Sequence, residues 1–149
     1  MIVTGQAVVG WVAAKTNEYG NFGASVGIGW MRGGEIVAGV VFSDYNGVNI
    51  QMHVASDGSR QWMVREYLWT CFDYPFNQAK VKRITTCVGE GNTVARHFNE
   101  HIGFTHETTL EGAHPTGGLI IYRMWKADCR FLREPYAKPL RTDLLRAAA

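Results

Sequence analysis

The segment "VNIQMHVAS", residues 48–56, sets Val48, Ile50, Met52 and Val54 alternately with Asn49, Gln51 and His53. A period of two marks a strand with one apolar and one polar face, and it puts His53 beside two amides on the polar one. An imidazole titrates near neutrality, so His53 can act there as a general base, or it can be a histidine hydrogen-bonded within a polar sheet face. Glu107, near the start of a later strand, offers a second base or a water-relay partner, although a surface carboxylate is the plainer reading. His97 and His101 stand four apart, a helical spacing that can grip a metal, but no third ligand accompanies them. They read as part of a solvated face, like His106 and His114, and no metal is expected.

The three cysteines, Cys71, Cys87 and Cys129, are odd in number and widely spaced, with no CxxC pair. They read as reduced thiols in a cytoplasmic protein, Cys87 as an interior strand residue rather than a nucleophile. "GEGNTVARHFNEHIGF", residues 89–104, reads as a short helix capped by Asn92 and stopped at Gly103, with Val94, Ala95, Phe98 and Ile102 inward and Arg96, His97 and Glu100 outward.

These residues need elements to position them. Thr4 to Asn17 reads as an amphipathic helix, too short and interrupted for a signal peptide or a membrane span. "ASVGIGWMR" is a strand whose glycine face permits close approach, "RGGE" a hairpin turn, and "EIVAGVVFSDY" a strand buried on both faces. Asn46-Gly47 turns the chain into the strand that carries His53, completing an antiparallel meander. Arg60 to Phe76 has a helical period, with Asp57 or Ser59 as its cap and a Trp62, Trp69, Phe72 stripe that suits core or dimer contact. "KVKRITTCV" returns after that helix and is expected parallel to its predecessor. "FTHETTL" and "GLIIYRMW" are the last two strands, joined by the loop "EGAHPTGG". Residues 1–126 form one domain. The tail 127–149 is expected to pack on that domain or a partner, with a short helix near Leu140 to Arg146.

The chain is 149 residues long with 15 Lys and Arg against 13 Asp and Glu, a formal charge of +2. That is enough length for a full core, and too little charge to imply nucleic acid or a membrane surface as partner.

The order helix, three-strand meander, helix, strand, helix, two strands resembles the GCN5-related N-acetyltransferase (GNAT) superfamily. "YPFNQAKVKRI", "GNTVARHFNEHIGF" and "THETTLEGAHPTGGLIIYRM" resemble the branch that acetylates ribosomal-protein N-termini, and the chain also resembles compact bacteriophage-encoded members. The resemblance implies an α/β (α+β) fold, with a mixed, mostly antiparallel sheet flanked by helices and a splayed parallel strand pair. It implies acetyl-coenzyme A as acetyl donor, its arm paired with the backbone of Met52 and Val54. The pyrophosphate would lie around Gly58, Ser59, Arg60 and Gln61 at the start of the next helix, and Asn92 would reach the arm. "SRQW", residues 59–62, stands where the family has a Gly-x-Gly or Gly-x-Ala turn. Asn99 stands where many members carry a thiol-protonating Tyr, which leaves Tyr122 or water for that task. The implied activity is direct acetyl transfer to an amine on a peptide or small molecule, His53 and Glu107 serving as candidate bases. The alternative is a degenerate, non-catalytic coenzyme A-binding or protein-interaction module. The front region is short, so the site is expected to be open or completed by a second subunit in a homodimer.

Overall fold

The computed structural model describes residues 1–16 and 22–136. Its elements are β1 (Ile2–Thr4), α1 (Gln6–Thr16), β2 (Ser25–Arg32), β3 (Glu35–Ser43), β4 (Asn49–Ser56), α2 (Arg65–Asp73), β5 (Arg83–Gly89), α3 (Thr93–Ile102), β6 (Thr105–His114) and β7 (Gly117–Trp125). A π-helical turn, Tyr74–Gln78, prolongs α2, and two 3-10 turns, Lys126–Asp128 and Arg130–Leu132, come after β7. The strands form one sheet in the order β1-β2-β3-β4-β5-β7-β6. Every neighbouring pair is antiparallel except β4 and β5, which run parallel as the intervening helix requires. The expected mixed α/β architecture with one parallel pair is therefore the observed one.

The two faces of the sheet are covered differently. Ile50, Met52, Ile84, Ile120, Tyr122 and Met124 pack under α2 and α3 in the main core with Tyr67, Phe72 and Ile102. On the opposite face α1 lies over β2, β3 and β4, where Val8, Val12 and Ala13 meet Val41. Glycines make that approach possible. A Cβ on Gly39 would stand 2.6 Å from Val12 Cγ2, and one on Gly27 would stand 2.9 Å from the Gly5 carbonyl oxygen. The bare face of β2 is thus filled by the chain's own helix.

Several expectations change. The chain does not enter directly into a helix: Ile2, Val3 and Thr4 pair with Trp30, Gly29 and Ile28 as an edge strand. Gly5, at φ 111°, then turns the chain into α1. The expected helix end at Asn17 lies outside the described residues. The α2 helix opens at Arg65 rather than Arg60, with Val64 as an N-cap that makes no side-chain hydrogen bond. Asp57 and Ser59 do not cap it, because they bond to each other in the preceding turn. The strands β6 and β7 extend through most of the expected loop and meet at a tight turn, pairing His114 with Gly117.

On α3, Val94 is 81% exposed rather than inward, while Asn99 is buried. The helix rolls so that Ala95, Phe98, Asn99 and Ile102 form its inner stripe. Cys87 is exposed, not interior: it pairs with Ile121 on the face that α1 leaves uncovered. Trp62, Trp69 and Phe72 are buried, and Phe131 stacks on Phe72 at 5.1 Å, so residues just beyond β7 complete the core. The helix expected near Leu140 to Arg146 lies outside the described residues.

Candidate active site

The parallel pair is brief. Asn49, Ile50 and Gln51 of β4 pair with Arg83, Ile84 and Thr85 of β5, and there the register ends although both strands continue. From Met52 to Ser56, β4 pairs with β3 on one side only. Its other edge faces a gap between diverging strands, and backbone groups along that edge can hydrogen-bond an amide-bearing ligand as a neighbouring strand would. Such a gap beside the carboxyl ends of parallel strands is where ligands bind in α/β sheets. Met52 and Val54 lie on this stretch, their side chains directed to the α2 and α3 face.

His53 projects to the opposite face, beneath α1. Its Nε2 lies 2.9 Å from Ser43 Oγ, and that hydroxyl donates to Asp44 Oδ2 at 2.9 Å. A serine hydrogen spent on the carboxylate leaves Ser43 Oγ as acceptor from His53 Nε2–H, an arrangement that selects one imidazole tautomer. The Phe22 ring lies 4.5 Å from the imidazole, centroid to centroid. Ser43 is only 2% exposed, and Asp44 holds a left-handed backbone at φ 55°. Sequence reading missed both residues. The signal was the polar "SD" ending an otherwise apolar strand, but its relation to His53 depends on the register that sets Val41 opposite His53.

At the base of the gap the polar face is tied together. Thr85 Oγ1 donates to Asn49 Oδ1 at 2.6 Å, Arg83 Nη2 donates to Thr85 Oγ1 at 3.1 Å, and Arg83 binds both Glu107 oxygens at 3.0 and 2.8 Å. Arg83 holds the Glu107 carboxyl below its ordinary titration range. Glu107 shares the face of His53, but His53 lies four residues past the Asn49–Arg83 pair, about 13 Å along the strand. The structure does not bring the two together.

Tyr122 lies on the other face, fully buried, and its hydroxyl donates to Glu100 Oε1 at 3.4 Å. Burial raises its pKa, which keeps the phenol protonated. Glu100, which accepts this bond, lies on α3, and Tyr122 itself pairs with Thr86, one residue beyond the last β4–β5 pair.

The mouth of the gap is formed by residues 57–64. Gly58 takes φ 92°, and the Asp57 carboxylate accepts from Ser59 N at 2.9 Å and from Ser59 Oγ at 2.7 Å. These bonds hold the Asp57 carboxyl below its ordinary range. Gln61 N points to Ser59 Oγ at 3.4 Å, while Arg60 is exposed. Asn92 caps α3, its Oδ1 accepting from Ala95 N at 3.1 Å. Trp62 bridges the two sides: its ring meets Tyr67 at 6.3 Å and Phe98 at 5.6 Å, and its Nε1 donates to Ser59 O. Tyr67, on α2, donates to Ile28 O of β2 and Phe98 lies on α3, so the indole packs between the two helices.

Among the described residues no three His, Cys, Asp or Glu side chains come together as a metal site would require, and no helix is long and apolar enough to cross a membrane. His97 and His101 are exposed on α3, whereas His106 and His114 bond to Thr109 and Thr116.

No protein-family model matches the chain, and no curated protein matches it in sequence. Solved structures do match in fold. Spermidine N-acetyltransferase from Vibrio cholerae, in complex with CoA and spermine, superposes with a TM-score of 0.61 at 16% identity, over 78% of this chain and 73% of that one. An acetyltransferase of the GNAT family from Bacillus anthracis gives 0.57 at 16% identity over 69% and 66%. A probable acetyltransferase gives 0.60 at 16% identity over 76% and 68%. The fold of this chain is that of the GNAT acetyltransferases.

Proposed function

We propose that this chain is an acetyl-coenzyme A-dependent N-acetyltransferase that moves an acetyl group directly to an amine. The observation that carries this reading is the strand divergence after Gln51, set in a fold shared with acetyltransferases. The acceptor classes considered are a protein N-terminus, a lysine or a small-molecule amine.

The residues fit the donor in two places and oppose it in one. The unpaired edge of β4 at Met52 to Val54 suits the amides of the pantetheine arm, and Asn92 stands at the start of α3 with its amide nitrogen available beyond the cap. At the mouth, Arg60 and the Gly58 backbone suit a pyrophosphate, but the ionised Asp57 takes up both Ser59 donors and adds a negative charge. When bound, acetyl-coenzyme A supplies an activated acyl thioester. The chain's part is to hold the acceptor nitrogen over the polar face of β4 and take its proton through the His53–Ser43–Asp44 array. In the net exchange a C–N bond forms, the C–S bond breaks and the thiolate takes up a proton. The Tyr122 hydroxyl, which donates to Glu100, or solvent supplies that proton.

A second reading, a degenerate non-catalytic coenzyme A-binding or protein-interaction module, is favoured by Asp57, whose carboxylate takes up both Ser59 donors. Titration calorimetry with acetyl-coenzyme A on the purified chain, beside Arg60→Ala, Asn92→Ala and Asn92→Asp, decides between them. The first reading expects one-to-one binding weakened in all three variants, with Asn92→Asp retaining the cap and the melting temperature. It also expects thiol release when amines are supplied. Absence of binding with folding intact, or binding without thiol release from any amine supplied, refutes the first reading and favours the second.

A further inference from the structure

At the end of the sheet opposite the divergence lies a concavity of about 500 Å³, bounded among the described residues by Phe76, Asn77, Lys80, Lys82, Trp125 and Lys126. Three lysines and, among the described residues, no acidic residue line it. The ion pairs among the described residues are those of Glu107 with Arg83 and Arg123, so within the described residues none of these lysines forms an ion pair. The nearby Asp73 carboxylate is taken up by the amides of Asn77 and Gln78 at 2.8 and 2.9 Å. Like charges sharing one concavity repel one another, and they attract a polyanion together.

The backbone fixes this arrangement. Lys126 N donates to Lys82 O, and Lys82 N donates to Val48 O, which clamps the ends of β5 and β7 side by side. Lys80 holds φ 59°, a left-handed conformation that favours glycine, yet the position carries a long cationic side chain. Trp125 is 43% exposed at the rim, with the Arg83 guanidinium 5.7 Å from its ring. A volume of this size suits a small ligand, and an exposed indole beside cations suits a nucleobase.

We propose that this concavity binds a nucleotide phosphate, with Lys80, Lys82 and Lys126 on the phosphate oxygens and Trp125 against the base. The site lies at the opposite ends of β4 and β5 from Gly58 to Gln61, and it is independent of acetyl transfer. The nucleotide can be free or can be a unit of a single strand, and the test separates these sources. The full chain is titrated with ADP, with inorganic phosphate and with a fluorescent oligothymidylate.

The expected result is ADP binding that weakens at least about tenfold in the Lys82→Ala/Lys126→Ala double variant, as loss of charge-assisted bonds implies. Trp125→Ala weakens ADP and spares phosphate, while Asn92→Asp changes neither. Oligothymidylate binding lost in the same lysine variant identifies a strand as the source, and ADP binding alone identifies the free nucleotide. The proposal is overturned by unchanged ADP affinity in the lysine variant with an unaltered circular dichroism spectrum. It is overturned equally by phosphate binding as tightly as ADP, or by no binding of either nucleotide probe. A chain that fails to bind acetyl-coenzyme A but passes the lysine test refutes the acetyltransferase reading and leaves this one standing.

Discussion

Replacing Gly39 by alanine adds one methyl group at the contact that seats α1 on the sheet. The new Cβ would stand 2.6 Å from Val12 Cγ2 and 3.2 Å from Val8 Cγ1, where ordinary contact begins at 3.4 Å. Val12 is 0% exposed and Val8 1% exposed, so neither can withdraw into solvent and the helix must lift. Overpacking of this kind costs about 1–3 kcal/mol, offset by roughly 0.5–1 kcal/mol because alanine loses less backbone freedom on folding than glycine. A net loss of about 1–2 kcal/mol should lower Tm by roughly 3–8 °C in a domain of this size. Gly10→Ala is the matched control, because it lies on α1 with nothing within 4 Å of its added Cβ. There the same change should stabilise the chain by about 0.5–1 kcal/mol through helix propensity. Urea denaturation of both variants gives the two free energies with a common slope. Adding Val12→Ala to Gly39→Ala should recover part of the loss, so that the double variant costs less than the sum of the singles. A Gly39→Ala midpoint equal to that of the unmodified chain, or strict additivity in the double variant, refutes the tight seating of α1.

Tyr67→Phe removes a hydroxyl that donates to Ile28 O at 2.8 Å from a fully buried ring, leaving a carbonyl without that partner. A loss of about 1–3 kcal/mol in urea is expected with the fold retained, and a loss below about 0.5 kcal/mol argues against this anchor. The Arg83–Glu107 pair ties stability to pH. The folded-state pKa of Glu107 is depressed, so its contribution is present above the unfolded value near 4.5 and disappears as pH falls through the folded pKa. Both partners are partly exposed, so solvent screening limits the pair to about 1 kcal/mol or less. Glu107→Gln should therefore be less stable than the parent chain at pH 7, with the difference shrinking as pH falls below 4.5 through the folded pKa, and a difference that does not change with pH contradicts the pairing.

Much of the fold is legible in the residues. The alternation of "VNIQMHVAS", the Gly33-Gly34 turn and the N-cap Asn92 are each decided by neighbours in sequence, and each appears where local chemistry places it. Errors arise where a distant partner overrides the local preference. "IVT" lacks strand length by itself and becomes β1 only because the β2 edge offers it a ladder. Residues 60–64 share the helical period of α2, but Trp62 is drawn into the core and its Nε1 toward Ser59 O, which delays the helix to Arg65. Strand alternation gives Cys87 a side of the sheet without saying which areas a helix covers, and α1 stops at β4.

The candidate site divides in the same way. His53 and its polar neighbours follow from a period of two, which the sequence alone determines because side chains alternate along any extended backbone. Ser43 and Asp44 beside His53, Glu107 on Arg83 and Tyr122 turned to Glu100 follow from strand register and helix roll. Register and roll are settled by the packing of surfaces remote in sequence, so local chemistry supplied the candidate residues and tertiary structure decided which of them meet.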